Sequence, residues 1–269
     1  ATSGDSVNVP EGTELRMATG AKITVPEGWT NKAALNIAGT ATGVALIETD
    51  ASPRNGAKDQ ALNVGFNVVS GKARLVDCIA DGFGFPFVLR NFSGDASRNG
   101  AIFVRCHGMR GYSWGFEIDS AANVLFDHCS ASFNGYDGFK QMNQHGYLAQ
   151  QNVYNCCTAV GNGQRDFAAG GSENANGNGW DFYQGGIAAH LIGCIAQANY
   201  GSGLNFKGGT STHPEMGMCR VLGGDFSGNL AVATGNSHGI ELGGDIGDGA
   251  GSVGQSLMTI VGARIADNE

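Results

Sequence analysis

Glu117, Lys140, Asp181, Asn205 and Glu241 each follow the apolar member of a repeated pair: Gly115-Phe116, Gly138-Phe139, Gly179-Trp180, Gly203-Leu204 and Gly239-Ile240. In a strand, neighbouring side chains face opposite ways, so apolar residues that point inward send this polar set outward. If successive pairs stack about 4.8 Å apart, Glu117 meets Lys140 and Lys140 meets Asp181, with the two carboxylates roughly 10 Å from each other. Two residues further on lies a second outward set, Asp119, Met142, Tyr183, Lys207 and Gly243. An acid and a base held apart by a cation could transfer a proton or assist bond cleavage. A solvated salt-bridge ladder, contributing about 0 to 1 kcal/mol per pair, is the plainer expectation for an exposed sheet face. Charged residues make up only 15 % of the chain, which sets such a concentration apart.

What must position these residues is a repeat. Starting from Gly84-Phe85, the pairs are spaced 31, 23, 41, 24 and 36 residues, a floor of 23 with irregular additions. A constant coil with loops added on one side gives that pattern in a solenoid. The stretch 123–139 holds one unit: a strand ending near Cys129, small residues, Asn134, then Gly138-Phe139. Leu75, Phe103, Phe126, Tyr154, Leu191, Val221 and Ile260 form an apolar ladder three positions before the small residue. That small position holds Cys78, Cys106, Cys129, Cys157 and Cys194, then Gly224 and Ala263; five residues later come Asn134, Asn162, Asn199, Asn229 and Asn268. These read as a stack of buried thiols and an amide ladder at a turn. The 45 glycines suit a chain that turns several times per coil. Residues 1–70 alternate apolar and polar over short stretches and read as capping strands and opening coils; residues 71–269 read as the solenoid proper.

Other classes are excluded or disfavoured. A net charge of −8 without a Lys/Arg cluster argues against nucleic-acid binding, and no run of 18 apolar residues could span a membrane. Seven cysteines, an odd number with no C-x-x-C, suit neither a disulfide framework nor zinc. His107, His128, His145, His190, His213 and His238 share no spacing suited to a metal and read as turn or surface residues. Asp245 and Asp248 could touch calcium, but hard-cation sites need more ligands, so no cofactor is expected. The first residues, A-T-S-G-D-S, contain no basic or apolar leader, so any secretion signal is absent or already removed.

These repeats look like those of right-handed parallel β-helix carbohydrate enzymes, which makes the expected fold all-β. Residues 111–116 together with 123–139 most resemble mannuronan C5-epimerases, in which G-Y-G-F-D-P-H-E precedes N-G-x-D-G-F; the likeness covers about residues 111–208. Asp137 of N-G-Y-D-G-F falls on that family's active-site Asp. Here the earlier stretch reads G-Y-S-W-G-F-E-I-D-S, so Glu117 replaces the first Asp, Asp119 stands near the His, and Tyr112 lies two residues early. The family's acid/base pair therefore does not carry over. Phage tailspike depolymerases are similar in overall pattern. The resemblance implies a polysaccharide substrate, a monomer or homotrimer, and an extracellular or virion-surface setting.

Two chemistries fit the outward residues. A uronate lyase or epimerase needs a base for the C5 proton and cations near the carboxylate, for which Lys140, Lys207 and Arg165 qualify. A glycosidase needs two carboxylates straddling the bond, for which Glu117 and Asp181 have a near-inverting separation. Trp114 and Tyr183 could stack on sugar rings, Asn205 could bind them, and the insertions 162–179 and 207–218 could wall a groove. A third possibility is a glycan-binding spike without turnover, which needs no perturbed carboxylate.

Overall fold

A computed structural model describes residues 6–25, 32–48, 63–91, 96–143, 151–164, 177–183, 187–207, 217–230, 238–242 and 256–268. Among them the strands form three sheets of nine, nine and eight, each pairing every third strand in sequence order. All pairings between these strands are parallel, so each coil contributes one strand to each sheet. This is a right-handed parallel β-helix, with the hand that parallel crossovers adopt. The sheets continue across the boundary expected at residues 70 and 71, since Ala33–Ile37, Val64–Val68 and Phe85–Arg90 pair in succession in the first sheet. No helix among the described residues is long and apolar enough to cross a membrane.

The core is built by stacking like on like. Phe66, Phe87, Phe116, Phe139 and Trp180 form a column in the first sheet with ring centroids 4.9, 4.6, 4.9 and 5.1 Å apart. Phe103, Phe126 and Tyr154 do the same in the second sheet, at 4.8 and 4.9 Å, and meet the first column edge-on. Each such contact contributes about 0.5 to 1.5 kcal/mol beyond the burial of the rings. With two aromatic columns filling the cross-section, the third sheet turns small residues inward: Ala80, Gly108, Ala131, Ala159 and Ala196. The expected apolar ladder from Leu75 to Ile260 is the inward row of the second sheet; its last member, Ile260, is exposed.

One alignment needs correcting. Phe87, not Phe85, pairs with Phe116, because the strand Phe85–Arg90 begins two residues before its inward aromatic. From Gly115 onward the pairs stack as expected, and glycine is required there. A Cβ on Gly138 would lie 2.8 Å from the Gly179 carbonyl oxygen, and one on Gly179 would lie 2.5 Å from that of Gly203.

Each bend into the third sheet is one residue in the left-handed region, just before the small position. Asp77, Arg105, His128, Cys156 and Gly193 have φ between 49° and 61°. The residue after it turns inward, and Cys78, Cys106, Cys129, Cys157 and Cys194 each donate a thiol hydrogen bond, 3.2 to 3.5 Å long, to a carbonyl of the preceding coil. Burial pushes the thiols of Cys106, Cys157 and Cys194 up, the last to about 12. Cys219 is also buried, so six of the seven thiols are sheltered, whereas Cys156 is exposed. The physical reason is its place at the bend itself, where the side chain leaves the core.

The Asn column closes the next bend. From Asn134 to Asn268 each side-chain amide donates to the Oδ1 of the next, at 2.8 to 3.0 Å, and those up to Asn229 send their backbone N–H to the same oxygen. The second amide hydrogen reaches a main-chain carbonyl, as from Asn162 to Ala131 at 3.1 Å.

Replacing Asn162 by Ala removes four such bonds, leaving the Asn134 amide without its acceptor and Asn199 Oδ1 with a backbone donor alone, so the unfolding free energy should drop by about 2 to 4 kcal/mol in denaturant titration. With an aromatic disulfide reagent, the native protein should expose one fast thiol, lost in Cys156→Ser, and the other six should react only after denaturation.

Candidate active site on the first sheet

The register expected for the outward face is observed. Glu117 pairs with Lys140, Lys140 with Asp181, Asp181 with Asn205, and Asn205 with Glu241; Asp119 pairs with Met142 and Met142 with Tyr183. Its exposure is not as expected. Glu117 is 2 % exposed, Lys140 8 %, Asp181 0 %, Asn205 5 % and Lys207 5 %, which rules out a solvated ladder. Buried charges of this kind must be paired and hydrogen-bonded.

The pairing also differs from expectation. Glu117 turns away from Lys140 to Arg90, whose Nε and Nη2 donate to Oε1 and Oε2 at 2.5 and 2.6 Å. With the Phe87–Phe116 alignment, Arg90 falls opposite Asp119 and beside Glu117, so the misplaced Gly84-Phe85 pair is what concealed it. Burial pushes the Glu117 carboxyl above its usual range, and the Arg90 fork opposes this without cancelling it. Clamped by two bonds, Glu117 is poorly suited to act as an acid or base.

Lys140 instead joins two carboxylates. Its ammonium bonds Asp181 directly and lies 3.8 Å from Asp137 Oδ2, while Lys207 reaches Asp181 from the other side at 3.4 Å. Burial would drive the Lys140 proton off, but Asp181 and Asp137 outweigh it and hold the pKa above the ordinary ammonium range. At Asp181, burial is outweighed by Lys140 and Lys207, and the carboxyl stays below its usual range. Asp137 goes the other way: burial, reinforced by the Asp181 charge, raises it to about 7.

Asp137 is held by a residue that occupies its own place one coil later. Asn178 donates from both its backbone N–H and its side chain to Asp137 Oδ1, at 2.9 Å each, and its own Oδ1 accepts from the Ser202 N–H at 2.8 Å. Asp137, Asn178 and Ser202 are the residues just before Gly138, Gly179 and Gly203, a spacing signal readable in the sequence. With Oδ1 so occupied, Oδ2 is the oxygen left facing Lys140.

Two half-buried rings border the cluster. The Lys140 ammonium lies 5.7 Å from the Trp114 ring and 4.7 Å from that of Tyr183; Lys207 lies 5.3 Å from the latter. The structure thus brings together Asp137, Lys140, Asp181, Asn205, Lys207, Trp114 and Tyr183, and sets Glu117 and Asp119 with Arg90 to one side. Arg165, Asp245, Asp248 and most of the proposed groove walls lie outside the described residues, among which no cluster of His, Cys, Asp and Glu could hold a metal ion.

No protein-family model matches this chain, and no curated protein does. Among solved structures, the periplasmic alginate epimerase AlgG is similar in fold, with a TM-score of 0.49 and 11 % identity over 93 % of this chain and 55 % of that one. A mutant of AlgG gives 0.45 and 11 % over 88 % and 47 %. The chain spans about half the length of the structures it matches.

Proposed function

We propose that the chain is a polysaccharide-processing enzyme that removes the C5 proton of a uronate residue, as a lyase or an epimerase. The observation that carries this reading is the Asp137–Lys140–Asp181–Lys207 cluster: a carboxyl poised near neutrality beside two ammonium groups on a face bordered by aromatic rings. The uronate carboxylate is neutralised by the lysines, which makes the C5 proton more acidic. Asp137 Oδ2 takes that proton, and the charge that develops on the carboxylate is stabilised by the same cations. Water on the opposite side of the ring then supplies a proton to the other face of C5, or the C4 oxygen leaves with a proton from water as the double bond forms. An extracellular setting goes with a polymeric substrate; no observation on the described residues favours a virion surface.

A hydrolase is the second reading, favoured by one observation. Asp181 stays ionised while Asp137 retains its proton up to about pH 7, the kind of split that separates base from acid in glycosidases. In this version Asp137 replaces the clamped Glu117 as the acid. A glycan-binding spike without turnover calls for no perturbed carboxylate, and Asp137 and Glu117 are both perturbed.

The two chemistries separate by pH. With Asp137 as base, kcat/KM on a uronan rises with pH and levels off above about 7; with Asp137 as acid, it falls through the same region. Asp137→Asn keeps an acceptor for Asn178 and should lower turnover by about 10²-fold or more, read as unsaturated ends by ultraviolet absorbance and as C5 inversion by NMR. Unchanged turnover would move the reaction elsewhere. Lys140→Ala, by contrast, leaves buried Asp137 without its ammonium and buried Asp181 with Lys207 alone, and should cost about 3 to 5 kcal/mol of stability, unlike the small effect expected of an exposed ladder.

A further inference from the structure

Beyond Asp181, away from Lys140, the face changes character. Two buried acceptors on directly paired positions, Asp181 Oδ1 and Asn205 Oδ1, have no hydrogen-bond donor; Asp181 Oδ1 faces the Lys207 ammonium at 3.4 Å without a bond. One coil further, Glu241 pairs with Asn205, and its Oε2 accepts from Ser202 Oγ at 2.9 Å. A buried amide oxygen left unpaired costs more than a hydrogen bond nets, so the fold gains from any donor placed there. On this side of Asp181, Glu241 disfavours an anionic group. A donor-rich, uncharged group fits, and its two donors must lie one coil spacing apart, about 4.8 Å at most.

We propose that Asn205 Oδ1 and Asp181 Oδ1 form a hydroxyl-binding subsite for the glycan, accepting from neighbouring hydroxyls of one sugar ring. The substrate is then a polysaccharide with free ring hydroxyls at this position, and acylation of those hydroxyls blocks it. Asn205 is in this account a specificity-determining residue, placed beside the proton-transfer groups. The inference rests on the uronate reading for the location of the reacting ring, but the chemistry it tests is that of the hydroxyls.

The test measures equilibrium binding of oligomannuronate, oligoguluronate, oligogalacturonate and oligoglucuronate to the intact protein by calorimetry, each in native, O-acetylated and carboxyl-reduced form. For the sugar that binds, O-acetylation should weaken affinity by about tenfold or more, a loss on the scale of one or two hydrogen bonds. Asn205→Val should weaken binding of the native sugar by about tenfold, whereas its near-isostere Asn205→Thr, which keeps an acceptor, should stay within about threefold of the parent. Equal binding of native and O-acetylated sugar overturns the proposal. So does equal affinity of the Val and Thr variants, or a lowered thermal midpoint in Asn205→Val with unchanged affinity, which would make Asn205 a residue of the fold alone. Carboxyl-reduced sugar that binds as well as the native form overturns the uronate reading and leaves the hydroxyl subsite standing, provided acetylation still blocks it. Absence of binding by every sugar in the panel overturns both.

Discussion

Each side chain in this fold lies about 4.8 Å from its counterpart in the next coil, and whatever occupies a position must tolerate its neighbour at that distance. Aromatic rings do so by stacking, thiols by reaching carbonyls, and amides by passing a hydrogen bond along the column. Like charges do not. On the outward face of the first sheet the sign therefore alternates, from Glu117 to Lys140 to Asp181, before neutral Asn205 separates Asp181 from Glu241. Burial tightens the requirement, because an ammonium without its carboxylate costs several kcal/mol there.

The same pairing sets the two carboxyls apart. One ammonium shared by two carboxylates cannot serve both equally: Asp181 takes the direct contact and a second lysine, while Asp137 keeps Lys140 at 3.8 Å and binds Asn178. The difference in partners divides the two pKa values, with Asp181 below its usual range and Asp137 near 7. A network that satisfies the stacking of charged residues thus leaves one carboxyl near neutrality. Half-buried Trp114 and Tyr183 border it.

Much of this was legible in the chain because a solenoid turns sequence spacing into spatial neighbourhood. The Asn column, the Cys positions and the Glu117–Lys140–Asp181 register could all be read by counting from a glycine. Counting failed where a coil departs from the common length before its inward residue. Phe85–Arg90 carries Pro86 and begins early, which shifted Phe87 and hid Arg90. Exposure could not be counted at all, since alternation says which way Glu117 points but not what covers it. Asp137 was marked by its motif, and Asn178 and Ser202 could be counted to the same place before their glycines, but that Asn178 holds Asp137 and is itself held by Ser202 showed only in their hydrogen bonds.

The direction of the main-chain hydrogen bonds gives the molecule a mechanical grain. In all three sheets they run along the solenoid axis, as do the amide column and the thiol-to-carbonyl bonds. A pull along that axis loads the three sheets side by side at every junction between coils, and the junctions one after another. The weakest junction then sets the strength of the rod, however well the others are packed. Where the third sheet narrows to the two-residue strand Asp225–Phe226, a junction has fewer bonds to share the load, and Arg264, which reaches Asp225 at 3.2 Å, acts there as a lateral tie.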